Sequence, residues 1–364
     1  MKHVETITLP HDLNEFTEII DVRAPSEFAE DHLPGAINLP VLSDNQREEV
    51  GTLYNSDPFA ARKLGAAMIS ANAAEHISTH LADKDKNYAP LVYCWRGGMR
   101  SGSLAHILRS IGWRARIIDG GYKAFRSFIR SDLTTLFSND QLQLTILSGP
   151  TGVAKTRMLH TLREEGAQIL DLEGLANHKG SVLGLTPDTV QDSQKHFETN
   201  LWHAISQLDP NKAIFTEAES NRIGKLHCPP PLWKKLGEGK VIELQLPLDQ
   251  RAKFLLDDYP YFTEQTDHLK GLLERLIKLR GHDQVQKWHE QIDKRQWLDF
   301  VTSMLEDHYD LVYRQAGDGE SNYSTPSSTL ELADFSDQAL RKGCLLYTSP
   351  SPRDLSTSRM PSSA

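Results

Sequence analysis

Two short stretches hold residues whose types and spacing could do chemistry. The first is Leu91-Val92-Tyr93-Cys94-Trp95-Arg96-Gly97-Gly98-Met99-Arg100-Ser101, in which an apolar run ends abruptly at a cysteine. Residues 91–93 read as a buried strand, Gly97 and Gly98 permit a tight loop, and apolar positions at Leu104, Ile107 and Leu108 predict a helix over 101–108. Such a loop turns its backbone N–H groups inward at a helix N-terminus, which favours an anion and the thiolate form of a cysteine at its mouth. With the fixed charge of Arg96 and Arg100, Cys94 is a candidate nucleophile. Arg96, Gly97, Gly98 and Arg100 form a cradle for an oxyanion delivered to it. A cysteine that merely filled a core would have no use for the arginines and glycines around it.

The second stretch is Gly149-Pro150-Thr151-Gly152-Val153-Ala154-Lys155-Thr156, entered from an apolar run over 142–148 and left through a helix that reaches Leu162. Strand, glycine loop, Lys-Thr and helix form the context of a phosphate-binding P-loop. Gly149, Thr151, Gly152, Lys155 and Thr156 would wrap and neutralise a di- or triphosphate, and the Thr156 hydroxyl could hold Mg2+. The pattern departs from GxxxxGK[ST] at Ala154, whose methyl group would crowd the phosphates. Glu217 and Glu219 follow the apolar run 213–216 and are candidates for orienting a metal or a water beside that loop; the alternative is that they cap the next segment.

Elements must carry these two sites, and the chain is long enough for two domains. It has 364 residues, 39% of them apolar and 24% charged, as in a soluble globular protein. The formal net charge of −9 gives no overall attraction for nucleic acid. The stretch 91–130 differs, with eight Lys or Arg against the single acid Asp119, and could face a polyanion. Cys94, Cys228 and Cys344 are too far apart for a CxxC metal site or a disulfide framework, and the histidines lack ligand spacing, so no metal site is expected. No apolar run reaches membrane length and no leader is evident, so a cytoplasmic protein with no membrane partner is expected. Further apolar runs over 19–22, 170–172 and 241–246 predict strands, and a mainly helical portion begins at Asp249. From about Gly343 the composition turns Ser/Pro-rich. Residues 343–364 are expected to be a non-native, disordered tail, so that the native C-terminus beyond about 342 is missing.

Asp21-Val22-Arg23 with Glu27-Phe28, then His32-x-Pro-Gly-Ala-Ile-Asn-Leu-Pro, the Cys94 loop and Ile118-Asp119-Gly120-Gly121-Tyr122 resemble the rhodanese family in order and spacing. The resemblance implies a parallel-sheet α/β domain whose cysteine carries sulfur or selenium. Most rhodanese loops run Cys-x4-Arg, whereas Cys94 to Arg100 is Cys-x5-Arg, similar to cell-cycle phosphatases, which carry His where this chain has Tyr93. The rhodanese-like part followed by the P-loop, together with Asp171-Leu172-Glu173-Gly174-Leu175-Ala176-Asn177-His178 and Glu217-Ala218-Glu219-Ser220-x2-Ile223-Gly224, resembles the tRNA 2-selenouridine synthase family. That resemblance implies a rhodanese domain over 1–138 and a P-loop NTPase-like α/β domain with a helical C-terminal portion over 139–342. It further implies conversion of wobble 2-thiouridine in tRNAs for Lys, Glu and Gln to 2-selenouridine through an S-geranyl intermediate. Geranyl diphosphate and selenophosphate would be substrates, with no tightly bound cofactor. Cys94 would carry selenium, Arg96 and Arg100 would bind the donor's phosphate, and the P-loop would bind the diphosphate. The competing reading is a rhodanese-type sulfurtransferase or phosphatase fused to an NTP-driven regulatory module.

Overall fold

Short apolar runs bounded by glycine, proline and polar turns become parallel strands in the computed structural model, which describes residues 4–179, 190–317 and 322–348. The chain divides into two units, residues 1–135 with 192–203 and residues 136–191 with 204–364. The first is built on a five-stranded parallel sheet of β1 (Thr6–Ile7), β2 (Glu18–Asp21), β3 (Ala36–Asn38), β4 (Pro90–Tyr93) and β5 (Arg116–Ile118), in the order β1-β5-β4-β2-β3. Strand β4 is central and buried along its length, which is why it reads as an unbroken apolar run. Its neighbour β2 is in register with it, Asp21 opposite Tyr93. The helix expected over 101–108 spans Met99–Ile111 and stops at Gly112, whose left-handed backbone closes it.

The segment 192–203, which begins the helix Gln194–Ser206, packs with the first unit, a return that the expected division at 138/139 does not contain. Arg126 donates to the Lys195 carbonyl and to Thr199 Oγ1 at 3.0 Å each, and Trp202 Nε1 donates to Asp132 at 2.8 Å. The Trp202 ring meets Phe125 edge-on, with centroids 5.9 Å apart. These contacts span about seventy positions of sequence, and no local pattern announces them.

The second unit carries a parallel sheet of β6 (Leu144–Ser148), β7 (Gln168–Leu170), β8 (Ile214–Glu217), β11 (Lys240–Gln245) and β12 (Ser328–Glu331), ordered β12-β11-β6-β8-β7, with an antiparallel pair β9 (Arg222–Ile223) and β10 (Leu226–His227) beside it. Three of the sheet strands, β6, β8 and β11, are apolar runs named above. The run over 170–172 is corrected, since β7 ends at Leu170, Asp171 accepts the Gly174 N–H as a cap and Leu172 opens the helix Leu172–Ala176. The fifth, β12, lies at the edge, and only Leu330 of its residues is buried, so it offers no apolar run to read. The helical portion after Leu248 has its own core around Trp288, Leu273 and Leu305. Trp288 buries its ring by donating Nε1 to Ser303 Oγ at 3.0 Å.

The expected tail is corrected over its first residues. The last helix runs Asp337–Thr348, and Cys344 is fully buried, its sulfur 3.3 Å from that of Met158. Leu340 and Cys344 are four positions apart and share a helix face, so the apolar stripe continues past residue 342 before the Ser/Pro-rich composition begins. Residues 349–364 of that tail, and residues 180–184 of the polar segment after β7, lie outside the described residues.

Candidate functional site

In the first unit, β4 delivers Cys94 to the start of a loop that wraps onto the N-terminus of the helix Met99–Ile111. Cys94 is 3% exposed, and Ser101 Oγ lies 3.2 Å from its sulfur, placed to donate to a thiolate. The loop is held from behind by the turn after β5. Tyr122 N–H donates to the Cys94 carbonyl at 2.8 Å and Lys123 N–H to that of Trp95 at 3.0 Å. This approach is so close that a Cβ at Gly121, whose φ is +56°, would collide with the Cys94 carbonyl oxygen and stand 2.5 Å from the Gly97 nitrogen. Gly97, at φ +66°, is confined likewise by the Ile118 carbonyl. Glycine is therefore required at both positions where the loop and the turn after β5 meet.

Its two arginines differ. Arg96 is exposed, whereas Arg100 is largely buried and gives Nη1 to Glu27 at 2.8 Å. Burial alone would raise the Glu27 carboxyl, but Arg100, the Ala24 N–H and then Arg47 pull it below the usual range, so the pair is ionised. Arg100 thus anchors the loop to the helix Pro25–Glu30 with one nitrogen and leaves the others for an anion. Around this core the fully buried Arg23 pairs with Asp21 at 2.6 Å and lies 3.8 Å over the Tyr122 ring. The Tyr122 hydroxyl in turn donates to buried Asp31 at 2.7 Å.

In the second unit the loop after β6 passes through the left-handed region at Ala154 (φ +61°) and enters the helix Lys155–Glu164. A position where the P-loop pattern has glycine thus keeps the glycine conformation with an alanine in it. Lys155 Nζ donates to the Gly149 carbonyl at 3.0 Å, closing the loop on itself. Burial depresses the Lys155 ammonium, although Glu219, Glu173 and Glu217 all favour its charge. Gly152 packs on the helix Leu248–Asp258, whose buried Arg251 donates Nε to the Thr151 carbonyl at 2.9 Å and pairs with Asp310 at 3.0 and 2.6 Å.

Strand β8 lies beside β6 with Glu217 opposite Leu147, which brings the acids to the phosphate loop. Glu217 is wholly buried and accepts the Leu172 N–H at 3.3 Å. Burial, then Asp171, Glu173 and Glu219, pushes its carboxyl well up. Glu219 is pushed up to about 8 by burial and by Glu173, with which it shares a hydrogen bond, against the pull of Lys155. Thr156 does not point free: its hydroxyl donates to Glu173 at 2.8 Å. The phosphate loop, Glu217 and Glu219 therefore come together, as do Cys94, Arg96, Gly97, Gly98 and Arg100 in the other unit.

Glu173 lies within the segment of resemblance, where the sequence assigns it no role; its place three residues past the end of β7, in the first turn of the helix Leu172–Ala176, is the signal it offers. Ser101 and Arg251 were likewise read only as parts of elements. Thr156 Oγ1 and the Glu173 carboxylate lie side by side at the start of the helix Lys155–Glu164, with the Lys155 ammonium acting on the same carboxylate.

Comparison with known proteins places these geometries. The family model for the "tRNA 2-selenouridine synthase AAA domain" matches residues 142–339, and that for the "Rhodanese-like domain" matches residues 8–128. A tRNA 2-selenouridine synthase of Shewanella frigidimarina is 34% identical over 334 residues, covering 83% of this chain and 88% of the relative. One of Alcanivorax borkumensis is 32% identical over 330 residues, covering 82% and 88%. One of Nitrosomonas europaea is 36% identical over 248 residues, covering 67% and 63%.

Proposed function

The chain belongs to the tRNA 2-selenouridine synthase family, and from that membership we propose that it converts wobble 2-thiouridine in tRNA to 2-selenouridine through an S-geranyl-2-thiouridine intermediate. The observation that carries this reading is the pairing, on one chain, of an arginine-flanked cysteine loop with a phosphate loop matched by a model specific to this synthase.

In the first half-reaction the thiocarbonyl sulfur attacks C1 of geranyl diphosphate. The new S–C bond forms as the C–O bond breaks, and pyrophosphate departs. Its charge would be taken up by the loop amides of Gly149 to Thr156 and by Lys155, with Mg2+ against Thr156 and Glu173 where it accompanies the diphosphate. The N3 proton of the base leaves in this step, and Glu219, its carboxyl pushed up to about 8, would accept it in the ionised form that it gains as pH approaches 8. In the second half-reaction selenium replaces sulfur at C2 and geranylthiol departs, because alkylation has turned a poor leaving group into a better one. Selenophosphate would be met at Cys94, with its phosphate held by Arg96, the Gly97 and Gly98 backbone and the unspent nitrogens of Arg100. The Cys94 sulfur attacks phosphorus, an S–P bond forming as the P–Se bond breaks; the selenide released adds to C2 as geranylthiolate leaves, and water then frees the cysteine and phosphate. Ser101 Oγ, 3.2 Å from the Cys94 sulfur, is placed to hydrogen-bond it. The acceptors would be the tRNAs for Lys, Glu and Gln.

Nucleoside analysis of tRNA from cells lacking and expressing the chain tests the reading. 2-Selenouridine should appear only on expression, and S-geranyl-2-thiouridine should build up when selenium is withheld. Finding neither nucleoside in expressing cells would sink it.

A further inference from the structure

We propose that an apolar cavity in the helical portion receives the hydrocarbon chain of a prenyl diphosphate whose head sits on the phosphate loop, so that the helices, and not the loop, select the chain. This rests on the reading that the loop takes a diphosphate ester. The cavity, of about 60 Å³, is lined by Leu255, Tyr259, Phe262, Trp297, Phe300 and Met304 among others, and its phosphate-loop member is Thr151. The loop bears directly on its wall: a Cβ at Gly152 (φ +87°) would lie 3.3 Å from Leu255 Cδ1 and 3.2 Å from Arg251 Cβ.

Arg251 fixes this junction. It holds the Thr151 carbonyl on one side and Asp310 on the other, just after the π-helical turn Leu305–Tyr309, whose Tyr309 also lines the cavity. Wide turns of that kind cost a regular hydrogen-bond ladder and recur where a helix shapes a site.

The lining chemistry decides between two occupants of a site that adjoins a phosphate loop. A nucleotide would bring a base and a ribose that need hydrogen-bonding partners. Among the described lining residues there is no carboxylate, amide or cation, and the polar atoms are a few hydroxyls and one indole N–H. A hydrocarbon chain needs only contact area, which the aromatic and aliphatic walls supply. The volume argues for a short chain. It is under half of the roughly 150 Å³ of an apolar cavity that takes a benzene, so a chain enters by turning aside the unbranched or flexible Met304 and Leu255. The large rings of Trp297 and Phe300 then limit its length.

The test uses the full-length protein and equilibrium binding of inorganic pyrophosphate, geranyl diphosphate and farnesyl diphosphate. The variants are Thr263→Phe, which adds bulk at a half-buried lining position, and Phe300→Ala, which removes it. Thr263→Phe should weaken geranyl diphosphate at least about tenfold, the equivalent of losing the burial of about two methylene groups, while pyrophosphate binding stays within about twofold. Phe300→Ala should narrow the preference for geranyl over farnesyl by a similar factor. If thermal melts show that Phe300→Ala is unfolded, Thr263→Phe decides alone. Folded variants that bind geranyl diphosphate like wild type, with tRNA geranylation intact, would overturn the cavity assignment and leave the geranylation reading standing. Wild type that binds geranyl diphosphate no more tightly than pyrophosphate, with tRNA left ungeranylated, would overturn both.

Discussion

Cys94 and Glu219 stand in different units, and on the proposed reading they divide the chemistry between them. Cys94 is almost closed off from solvent, with Ser101 3.2 Å from its sulfur, and the proposed geranylation asks nothing of it. Cys94→Ser should therefore abolish 2-selenouridine while S-geranyl-2-thiouridine persists or accumulates in cellular tRNA. Normal 2-selenouridine in that strain would remove the cysteine from the mechanism. Glu219 makes a prediction through pH. Its carboxyl is raised by burial and by Glu173, so the folded chain holds a proton that the unfolded chain gives up at about pH 4.5. Between that value and about 8 the folded state binds more protons than the unfolded one, so this group's contribution to stability is full below pH 4.5 and falls as pH rises through the interval. Glu219→Gln cannot lose that proton. Denaturant midpoints of the variant should therefore decline less than those of wild type from pH 5 to pH 8, and its geranylation rate should lose the rise toward pH 8 that a base ionising there supplies. Parallel stability curves for the two proteins would show that the carboxyl is not held protonated.

At the scale of elements, each site is a strand end clamped by a neighbour, and the two halves of each clamp differ in how readable they are. The strand-loop-helix units at Cys94 and Lys155 were legible because strand, glycine and helix signals lie within some twenty residues of one another. The clamps were not. The turn at Gly120-Gly121 reaches the Cys94 carbonyl by packing, Thr156 finds Glu173 across a crossover, and the segment 192–203 returns to the first unit through Arg126 and Trp202. None of these leaves a periodicity. Edge strand β12 was missed for the same kind of reason, having one buried residue to show. Gly121→Ala places a methyl group on the Cys94 carbonyl and the Gly97 nitrogen at a positive φ. It should abolish selenation and lower the unfolding midpoint, with tRNA geranylation retained in whatever protein stays folded. Ala154→Gly works the other way. The left-handed backbone at Ala154 costs roughly 1 kcal/mol or more, which glycine relieves, less the extra freedom it gives the unfolded chain. A net gain of about 0.5 kcal/mol in denaturant titration is expected, with diphosphate binding undiminished. A loss of stability would mean that the alanine methyl group, only 2% exposed, contributes more by packing than its backbone costs.

For the molecule as a whole the question is how a chain of net charge −9 holds a polyanion. The surplus of positive charge over 91–130 is real in sequence but is partly spent in space. Arg100 pairs with Glu27, Arg109 with Glu5 at 3.6 Å, Arg116 with Glu15 at 2.8 Å, and Arg126 with Glu198 and Asp31. Arg116 also lies 4.5 Å over the Phe16 ring. What is left is Arg114, exposed just before β5 and 3.5 Å from the Asn87 carbonyl, and a more localised group. Lys123 and Arg130 are exposed on the helix Gly121–Phe137, seven positions apart and so on one face, and make no ion pair among the described residues. Lys123 adjoins the Cys94 loop through its bond to Trp95, and Arg96 is exposed on that loop. A stripe from Arg96 through Lys123 to Arg130 would lead tRNA phosphates toward the cysteine. Lys123→Ala with Arg130→Ala should weaken tRNA binding and reduce the slope of log K against log salt by about 1 to 2, the share of two lost phosphate contacts. Arg116→Ala should leave that slope near its wild-type value, because its charge is already matched by Glu15. Filter binding across a salt series separates the cases: a slope that falls for Arg116→Ala and holds for the Lys123/Arg130 variant would move the tRNA path to the β5 side of the unit.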